Sequence, residues 1–293
     1  MKLVKYSLQQ RLHQLIELIL FGKILKTQPI ESDNDAPAEV VMLLSQKDLI
    51  MAFCALKSLC FFSNRSFKIT LIADDGCLKP RHIKRIRSFV RNVSLILNRD
   101  AISEQIIQYP MCREFLFDPD PTVSKLLGPL VHATKNKIIL MDSDVCFFGY
   151  PRALLEWVDS DDEDCLFLPG ATPRYVTEEL TQAIASTFNL RPPILMPDTG
   201  LLLFHKRILD LDALEKIFSI QKQYGYTQWS KELYAYGVLI QRYGHYRPLP
   251  PEYMNGSWYE AICNHYLSRY HHIKHARLKI RGMVEYILFK ESL

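Results

Sequence analysis

Short runs of apolar residues alternate with stretches of helical periodicity from residue 38 onward. Each run is long enough for one buried strand, and each helical stretch places an apolar residue at every third or fourth position. This alternation predicts an α/β fold with a mostly parallel central sheet flanked by helices. The predicted strands cover residues 38–45, 67–73, 93–97, 137–141, 166–168 and 200–204, and the predicted helices cover residues 46–62, 80–90, 122–133 and 151–158.

The two ends of the chain differ from this regular middle part. Residues 6–25 have the apolar spacing of an amphipathic helix, and residues 31–38 are polar and contain a proline, which is typical of a linker. Charged residues interrupt the first helix, so its apolar stretch is shorter than the roughly 20 residues that span a bilayer. Both ends are candidates for contact with a membrane surface instead. We divide the chain into an N-terminal helix and linker at 1–37, one continuous domain at 38–275 and a basic, apolar tail at 276–293.

The overall composition is that of an ordinary globular enzyme, with 48% apolar and 23% charged residues. The net charge of +4 is too small to indicate nucleic acid as a partner. Seven cysteines without a Cys-x-x-Cys pair exclude a disulfide framework and a zinc site made of thiolates. Because no signal peptide is visible either, we expect a cytoplasmic protein, with the inner face of a membrane as a possible place of peripheral contact.

The segment KIILMDSDVCFF at residues 137–148 carries the clearest chemical signal. Asp142 and Asp144 follow directly after a buried strand, at the edge of the sheet where α/β proteins bind ligands. Two carboxylates at this position suit Mg²⁺ or Mn²⁺, whose remaining ligands are water and phosphate oxygens. A turn capped by two aspartates is the structural alternative. The other Asp-x-Asp strings, at 118–120, 159–161 and 162–164, lie next to a proline or in an acidic run and indicate solvated loops.

The longer segment KIILMDSDVCFFGYP resembles the strand–Asp-x-Asp–strand segment of GT-A glycosyltransferases, particularly the glycogenin-like and bacterial lipopolysaccharide sugar transferases. The resemblance extends from about residue 38 to residue 272. It implies a GT-A fold in which Asp142 and Asp144 bind Mn²⁺ or Mg²⁺, and the metal bridges the diphosphate of a nucleotide-sugar donor. UDP is the preferred nucleotide because it is the commonest among these relatives. The implied acceptor is a hydroxyl group, for example on a glycan or a lipid-linked glycan.

Further segments carry the same resemblance. They are LIADDG at 71–76, the helix before the metal motif, PDTGLLLF at 197–204, WSKE at 229–232 and CNHYLSR at 263–269. By resemblance, the catalytic residues are Asp198 and Glu232, the donor-binding residues are Asp74, Asp75, Lys125, Ser143, Thr199 and Gly200, and the metal ligands are Asp142, Asp144 and His265. If the reaction inverts the anomeric centre, Asp198 or Glu232 serves as the base; if it retains the configuration, the leaving phosphate can take the proton.

Three other functions fit parts of this pattern. A haloacid-dehalogenase-like phosphotransferase also places Asp-x-Asp after an apolar strand, but normally after the first strand of its domain, whereas about 140 residues precede the motif here. A nucleotidyltransferase is expected to have a Gly-rich basic loop after its first strand, and residues 45–50 have none. A non-catalytic sugar-nucleotide-binding protein would have lost part of the metal motif, which is intact in this chain.

Overall fold

The structure of the 293-residue chain is a computed structural model. The structure describes residue 15 and residues 18–73, 78–119, 121–168, 176–225, 230–255, 260–266 and 274–293. The strands are β1 Ile30–Glu31, β2 Ala38–Leu44, β3 Lys68–Ala73, β4 Val90–Arg91, β5 Ser94–Ile96, β6 Lys137–Met141, β7 Val145–Phe147, β8 Cys165–Leu168, β9 Asp198–His205, β10 Tyr246–Pro248, β11 Tyr253–Asn255 and β12 Cys263–His265.

The α-helices are α1 Leu49–Ser63, α2 Pro80–Phe89, α3 Asp100–Ser103, α4 Pro110–Leu116, α5 Ser124–His132, α6 Arg152–Asp159, α7 Glu178–Phe188, α8 Leu211–Tyr224, α9 Ser230–Tyr243 and α10 Lys274–Glu291. Short 3₁₀ helices lie at Gly22–Lys26, Glu104–Ile106, Pro121–Val123 and Lys206–Ile208. The helices and strands predicted from residue 38 onward are all present, with ends that shift by up to three residues. Most of the helix predicted at residues 6–25 lies outside the described residues. In the part of the chain that the structure describes, no helix is both long enough and apolar enough to cross a membrane.

The central sheet has seven strands in the order β10–β8–β9–β6–β2–β3–β5. Four of its six neighbouring pairs are parallel, whereas β9 runs antiparallel to both β6 and β8. The prediction of a mostly parallel sheet between helices is therefore confirmed, with one reversed strand inside it. Hydrophobic clusters cover both faces, one built around α1 and α10 and the other around α5, α8 and α9. Burial on both faces explains why the central strands are continuous apolar runs.

A smaller sheet carries one wall of the site described below. It consists of β11, β12 and β7, in which β12 is parallel to β11 and antiparallel to β7. Strand β7 follows β6 after a turn at residues 142–144, so the chain leaves the central sheet at this turn. The segment predicted as a C-terminal tail forms α10, and its inner face belongs to the core through Ala276, Ile280, Met283, Val284 and Ile287.

A buried carboxylate joins the amino ends of three neighbouring strands. Glu39, in β2, accepts a hydrogen bond from the Thr70 hydroxyl at 2.6 Å and another from the backbone N–H of Thr134 at 2.8 Å, just before β6. The Lys68 ammonium, at the start of β3, lies 3.3 Å from the second carboxylate oxygen. Glu39 is completely buried, so these partners replace the water that the charge has lost. The cluster therefore fixes where β2, β3 and β6 begin relative to one another.

We expect Glu39→Ala to lower the free energy of unfolding by about 3 kcal/mol, because it leaves the buried Lys68 ammonium without its carboxylate. Denaturant unfolding followed by circular dichroism measures this loss. The matched control is Glu31→Ala, which removes an exposed ion pair with Arg91 and should change the stability by less than about 0.5 kcal/mol. Equal stabilities of the two variants would contradict a role for Glu39 in joining the strands.

Candidate active site

The Asp-x-Asp turn lies at the carboxyl edge of the central sheet. Strand β6 ends at Met141, and the N–H of Asp142 donates to the carbonyl of Gly200 in β9 at 2.8 Å. The N–H of Val145 then donates to the carbonyl of Asp142 at 3.1 Å, which closes a tight turn that contains Ser143. The sequence explains why the strand ends here and a turn follows, because two charged residues cannot continue a buried apolar strand. Both aspartates therefore stand at the position where open α/β sheets bind ligands.

Strand β12 brings a histidine to the same turn. His265 pairs with Val145 in the antiparallel β7–β12 ladder, and the N–H of Tyr266 donates to the carbonyl of Asp144 at 3.1 Å. The imidazole Nε2 lies 3.4 Å from Oδ1 of Asp144 and 3.7 Å from Oδ2 of Asp142. One ligand atom from each of these three residues lies within 4.8 Å of the ligand atoms of the other two. The metal ligands implied by the sequence resemblance are thus brought together.

The electrostatics of this group suit a divalent cation. Burial raises the pKa of Asp142 above its usual range, against the lowering effect of Lys125 and His265. Burial alone would lower the pKa of His265, but the carboxylates of Asp144 and Asp198 outweigh it and hold this pKa well above its ordinary value. Two carboxylates and an imidazole in a buried, negatively charged position form a donor set that fits Mn²⁺ or Mg²⁺.

Asp198 and Gly200 determine how the His265 ring is held. Nδ1 of His265 lies 3.0 Å from Oδ1 of Asp198, and the same Oδ1 accepts the N–H of Gly200 at 2.7 Å. Burial raises the pKa of Asp198, but His265 and the N–H of Gly200 lower it by more, so that it falls below its usual value. A Cβ on residue 200 would lie 2.2 Å from Nδ1 of His265. A glycine is therefore required for the ring to approach β9 this closely.

A buried lysine lies on the other side of the aspartates. The Nζ atom of Lys125, from α5, lies 2.7 Å from Oδ1 of Asp142, 3.4 Å from Oε1 of Glu232 in α9, and 3.4 Å from the hydroxyl of Thr199. Burial lowers the pKa of Lys125, but Asp142 and Glu232 outweigh it and raise the pKa above its ordinary value. Lys125 thus stays charged and joins the metal group to α9.

Glu232 is the buried acid in this network. Burial raises its pKa from 4.5 to about 7, helped by Asp142 and opposed by Lys125. Its Oε1 lies 3.4 Å from the Lys125 ammonium, and the described residues give this atom no closer polar partner. A carboxyl group with a pKa near neutrality at a site of this kind is suited to exchange a proton or to bind a hydroxyl group.

Most of the residues selected from the sequence meet at this site. It contains Asp142, Ser143, Asp144, Lys125, Asp198, Thr199, Gly200, Glu232 and His265. Asp74 and Asp75 lie outside the described residues; the strand before them, β3, ends at the same edge of the sheet, where Ala73 pairs with Leu44.

The sequence analysis missed Tyr236, a completely buried residue of α9. Its hydroxyl donates to the carbonyl of Lys125 at 2.8 Å and so holds α9 against α5. Tyr236 follows Glu232 by four residues, which places both on one face of a helix. This spacing was the only signal in the sequence. Lys125 is 111 residues away from Tyr236 along the chain, so no local pattern in the sequence indicates their contact.

No protein-family model and no curated protein sequence matches the chain. The apo structure of mouse xyloside xylosyltransferase 1 is similar with a TM-score of 0.50 and 11% identity, over 81% of this chain and 98% of that chain. The galactosyltransferase LgtC, in complex with donor and acceptor sugar analogues, gives a TM-score of 0.52 and 13% identity, over 86% of this chain and 95% of that chain.

The glycosyltransferase GlyE of Streptococcus pneumoniae is similar with a TM-score of 0.51 and 13% identity, over 87% of this chain and 64% of that chain. The similar regions of these three proteins include most of the chain, although few residues are identical. Because the agreement extends over whole domains, it confirms the fold that the metal motif implied. The chain has the GT-A fold of the nucleotide-sugar glycosyltransferases.

Proposed function

We propose that this protein is a metal-dependent glycosyltransferase that moves a sugar from a nucleotide-diphosphate donor, with UDP preferred, to a hydroxyl group of a glycan or a lipid-linked glycan. The observation that carries the proposal is the group formed by Asp142, Asp144 and His265 at the carboxyl edge of a GT-A sheet. The similarity to LgtC, a galactosyltransferase seen with donor and acceptor sugar analogues, supports this reaction class. The GT-A fold gives no support to the haloacid-dehalogenase-like alternative.

In this proposal, Asp142, Asp144 and His265 hold Mn²⁺ or Mg²⁺. The metal ion, when bound, supplies positive charge that stabilises the leaving diphosphate. Lys125 contributes a second, permanent positive charge next to Asp142. We assign donor binding to Lys125, Ser143, Thr199 and Gly200, and to Asp74 and Asp75, which directly follow β3 in the sequence.

Glu232 and Asp198 take different parts in the proposed reaction. Burial raises the pKa of Glu232 to about 7, and the described residues leave its Oε1 with no polar partner closer than the Lys125 ammonium at 3.4 Å, so it is the better candidate for binding or deprotonating a sugar hydroxyl. Asp198 is engaged by His265 and by the N–H of Gly200. We therefore assign to Asp198 chiefly the positioning of His265, because a carboxylate on the second ring nitrogen fixes the orientation of a metal-binding histidine.

The proposed location is the cytoplasm, with peripheral contact to the inner face of a membrane. The six cysteines that the structure describes are free thiols, which supports a reducing compartment. The proposed catalytic domain covers residues 38–275. Contact with a membrane would bring the enzyme close to a lipid-linked acceptor.

The first test is a thermal-shift screen of the purified protein with UDP-, GDP-, dTDP- and CMP-sugars, each with and without Mn²⁺. A ligand at 100 times its dissociation constant stabilises the folded state by about 2.7 kcal/mol. We expect a rise in melting temperature with UDP-sugars that requires Mn²⁺ and is lost in Asp142→Ala/Asp144→Ala. The matched control, Asp159→Ala/Asp161→Ala, removes an Asp-x-Asp pair from an exposed segment and should keep the shift.

The same screen separates the alternatives. A metal-dependent shift without transfer or hydrolysis of any donor sugar would indicate a sugar-nucleotide-binding protein. A metal-dependent shift with another nucleotide would correct only the preference for UDP. If no donor shifts the melting temperature and the double variant behaves like the parent, the proposed site is wrong.

We expect Asp198→Asn to weaken Mn²⁺ binding by about 10- to 100-fold, because the His265 ring loses the carboxylate that orients it. Isothermal titration calorimetry with Mn²⁺ alone measures this change without the enzymatic reaction. Gly200→Ala should weaken binding at least as much, because its Cβ would occupy the place of the ring. The control is Asp35→Asn on an exposed turn, which should bind Mn²⁺ like the parent. An unchanged Mn²⁺ affinity in Asp198→Asn would rule out the positioning role of Asp198.

The raised pKa of Glu232 predicts a pH-dependent stability. Because the folded state binds the proton more tightly than the unfolded chain does, this stabilisation is fully present below pH 4.5 and is lost as the pH rises through about 7. As the pH rises from 4.5 to 7.5, the parent loses this stabilisation and Glu232→Gln does not. We therefore expect the free energy of unfolding of Glu232→Gln to rise relative to that of the parent by on the order of 1–3 kcal/mol over this range. Denaturant unfolding at a series of pH values measures the difference, and parallel pH profiles for the two proteins would contradict the assignment.

A further inference from the structure

Helix α10 presents an apolar stripe to solvent on the side opposite its buried face. Leu278, Tyr286 and Phe289 are exposed, Leu278 to 54% and Phe289 to 59%. Their spacing of eight and three residues places them on one side of a helix. Leu293, two residues after the helix, is also exposed. A Cβ at Gly282, midway along the stripe, would meet no atom within 4 Å, so the described residues leave this part of the stripe uncovered.

The N-terminal segment lies beside this helix and adds to the stripe. The Lys23 ammonium lies 3.2 Å from Glu285, and the N–H of Gln28 donates to Glu291 at 2.8 Å, so the two segments run side by side in the same direction. Leu15, Leu18 and Ile19 precede these contacts and are exposed. We call the seven exposed apolar residues of both segments the terminal surface; they are Leu15, Leu18, Ile19, Leu278, Tyr286, Phe289 and Leu293.

The terminal surface contains most of the exposed apolar side chains. Among the described residues, thirteen large apolar side chains are exposed, and seven of them belong to these two short segments. Single exposed apolar residues are normal on a protein surface, but seven of them on two neighbouring segments indicate an interaction site. A groove of about 600 Å³ next to Tyr286, lined by Phe62, Phe148, Ile262 and Met283, widens the apolar area toward α1.

The two ends of the sequence carry mostly positive charges. Residues 274–293 contain five Lys and Arg against two Glu, a net charge of +3, and residues 1–26 contain five against one, a net charge of +4. Because the whole chain carries +4, residues 27–273 carry −3. Both glutamates of α10 are in ion pairs, Glu285 with Lys23 and Arg281, and Glu291 with Lys57. The positive charge of the protein is thus concentrated at its two ends.

Exposed cations stand on both sides of the stripe on α10. On an α-helix with 3.6 residues per turn, Arg281 falls on one flank of the line through Leu278, Tyr286 and Phe289, and Lys290 falls on the other. Apolar residues flanked by lysine and arginine are the composition of helices that lie in the plane of a membrane interface. Each such cation near an anionic leaflet contributes about 1 kcal/mol to binding.

We infer that the terminal surface binds to a membrane that contains anionic lipid, with α10 lying along the bilayer surface. The charge distribution favours this partner over a second copy of the chain, because two copies would bring like charges together. Helix α10 begins nine residues after His265, so the membrane contact and the candidate active site belong to neighbouring parts of the chain. The link to a lipid-linked acceptor rests on the proposed function, whereas membrane binding itself does not.

The test is co-sedimentation of the full chain with two kinds of vesicle, phosphatidylcholine alone and phosphatidylcholine mixed with phosphatidylglycerol. We expect binding to the mixed vesicles that weakens as salt is added, because screening reduces the attraction. Leu278→Glu/Phe289→Glu should reduce the partition coefficient at least tenfold, and Arg281→Glu/Lys290→Glu should reduce it on the anionic vesicles. The matched control, Ile107→Glu/Phe117→Glu, alters exposed apolar residues elsewhere and should bind like the parent.

Two further measurements make the outcomes distinct. Melting temperatures and the Mn²⁺-dependent donor shift, taken without vesicles, show that each variant is folded and test the proposed function separately. Absence of binding to the anionic vesicles, or equal binding to both kinds, would overturn the inference. Sedimentation velocity tests the alternative of a second copy. A concentration-dependent dimer that is abolished only by Leu278→Glu/Phe289→Glu would also overturn the inference, because a second copy would then cover the terminal surface.

Discussion

The close approach of His265 to β9 is the contact on which the rest of the site depends. Gly200 permits it by having no side chain, and its N–H and carbonyl bind Asp198 and Asp142 at the same time. One residue therefore sets the distance between the central sheet and the small sheet that carries β12. If that distance grew by the size of a methyl group, His265 would no longer reach Asp142 and Asp144.

The second property of the site is an excess of buried negative charge. Among the described residues, the four carboxyl groups of Asp142, Asp144, Asp198 and Glu232 lie next to the basic groups of Lys125 and His265. Burial is the main cause of the raised pKa of Glu232, whereas the neighbouring carboxylates raise the pKa of His265 against the effect of burial. Charged groups with perturbed pKa values that share a cleft are characteristic of functional sites. Replacing such buried charges with apolar residues would often stabilise the fold, so their presence indicates a function. A divalent cation is the simplest means of restoring the balance.

The sequence was informative where local pattern and burial coincide. The apolar run of β6 followed by Asp142 and Asp144 predicted the strand and two metal ligands at its end, because charge cannot continue a buried strand. The third ligand, His265, was predicted only from the family resemblance. The direction of β9 was not predictable, since an apolar strand has the same pattern in parallel and antiparallel sheets. Strands β10 to β12 are three residues each and too short for periodicity. The contact between Asp198 and His265 joins residues 67 apart and left no local trace.

The position of the Glu39 cluster has a consequence for how this protein can change. Glu39 binds the first residues of β3 and the residues that precede β6, so it secures the sheet at the amino ends of its strands. The candidate active site occupies the opposite, carboxyl ends. The determinants of strand register and those of chemistry are therefore separated by the length of a strand. The Asp-x-Asp turn after β6 must keep its metal ligands. The segments that follow β3 and β8 in the sequence can accept new residues, and with them new sugars or acceptors, while the alignment of the strands is maintained from the far edge.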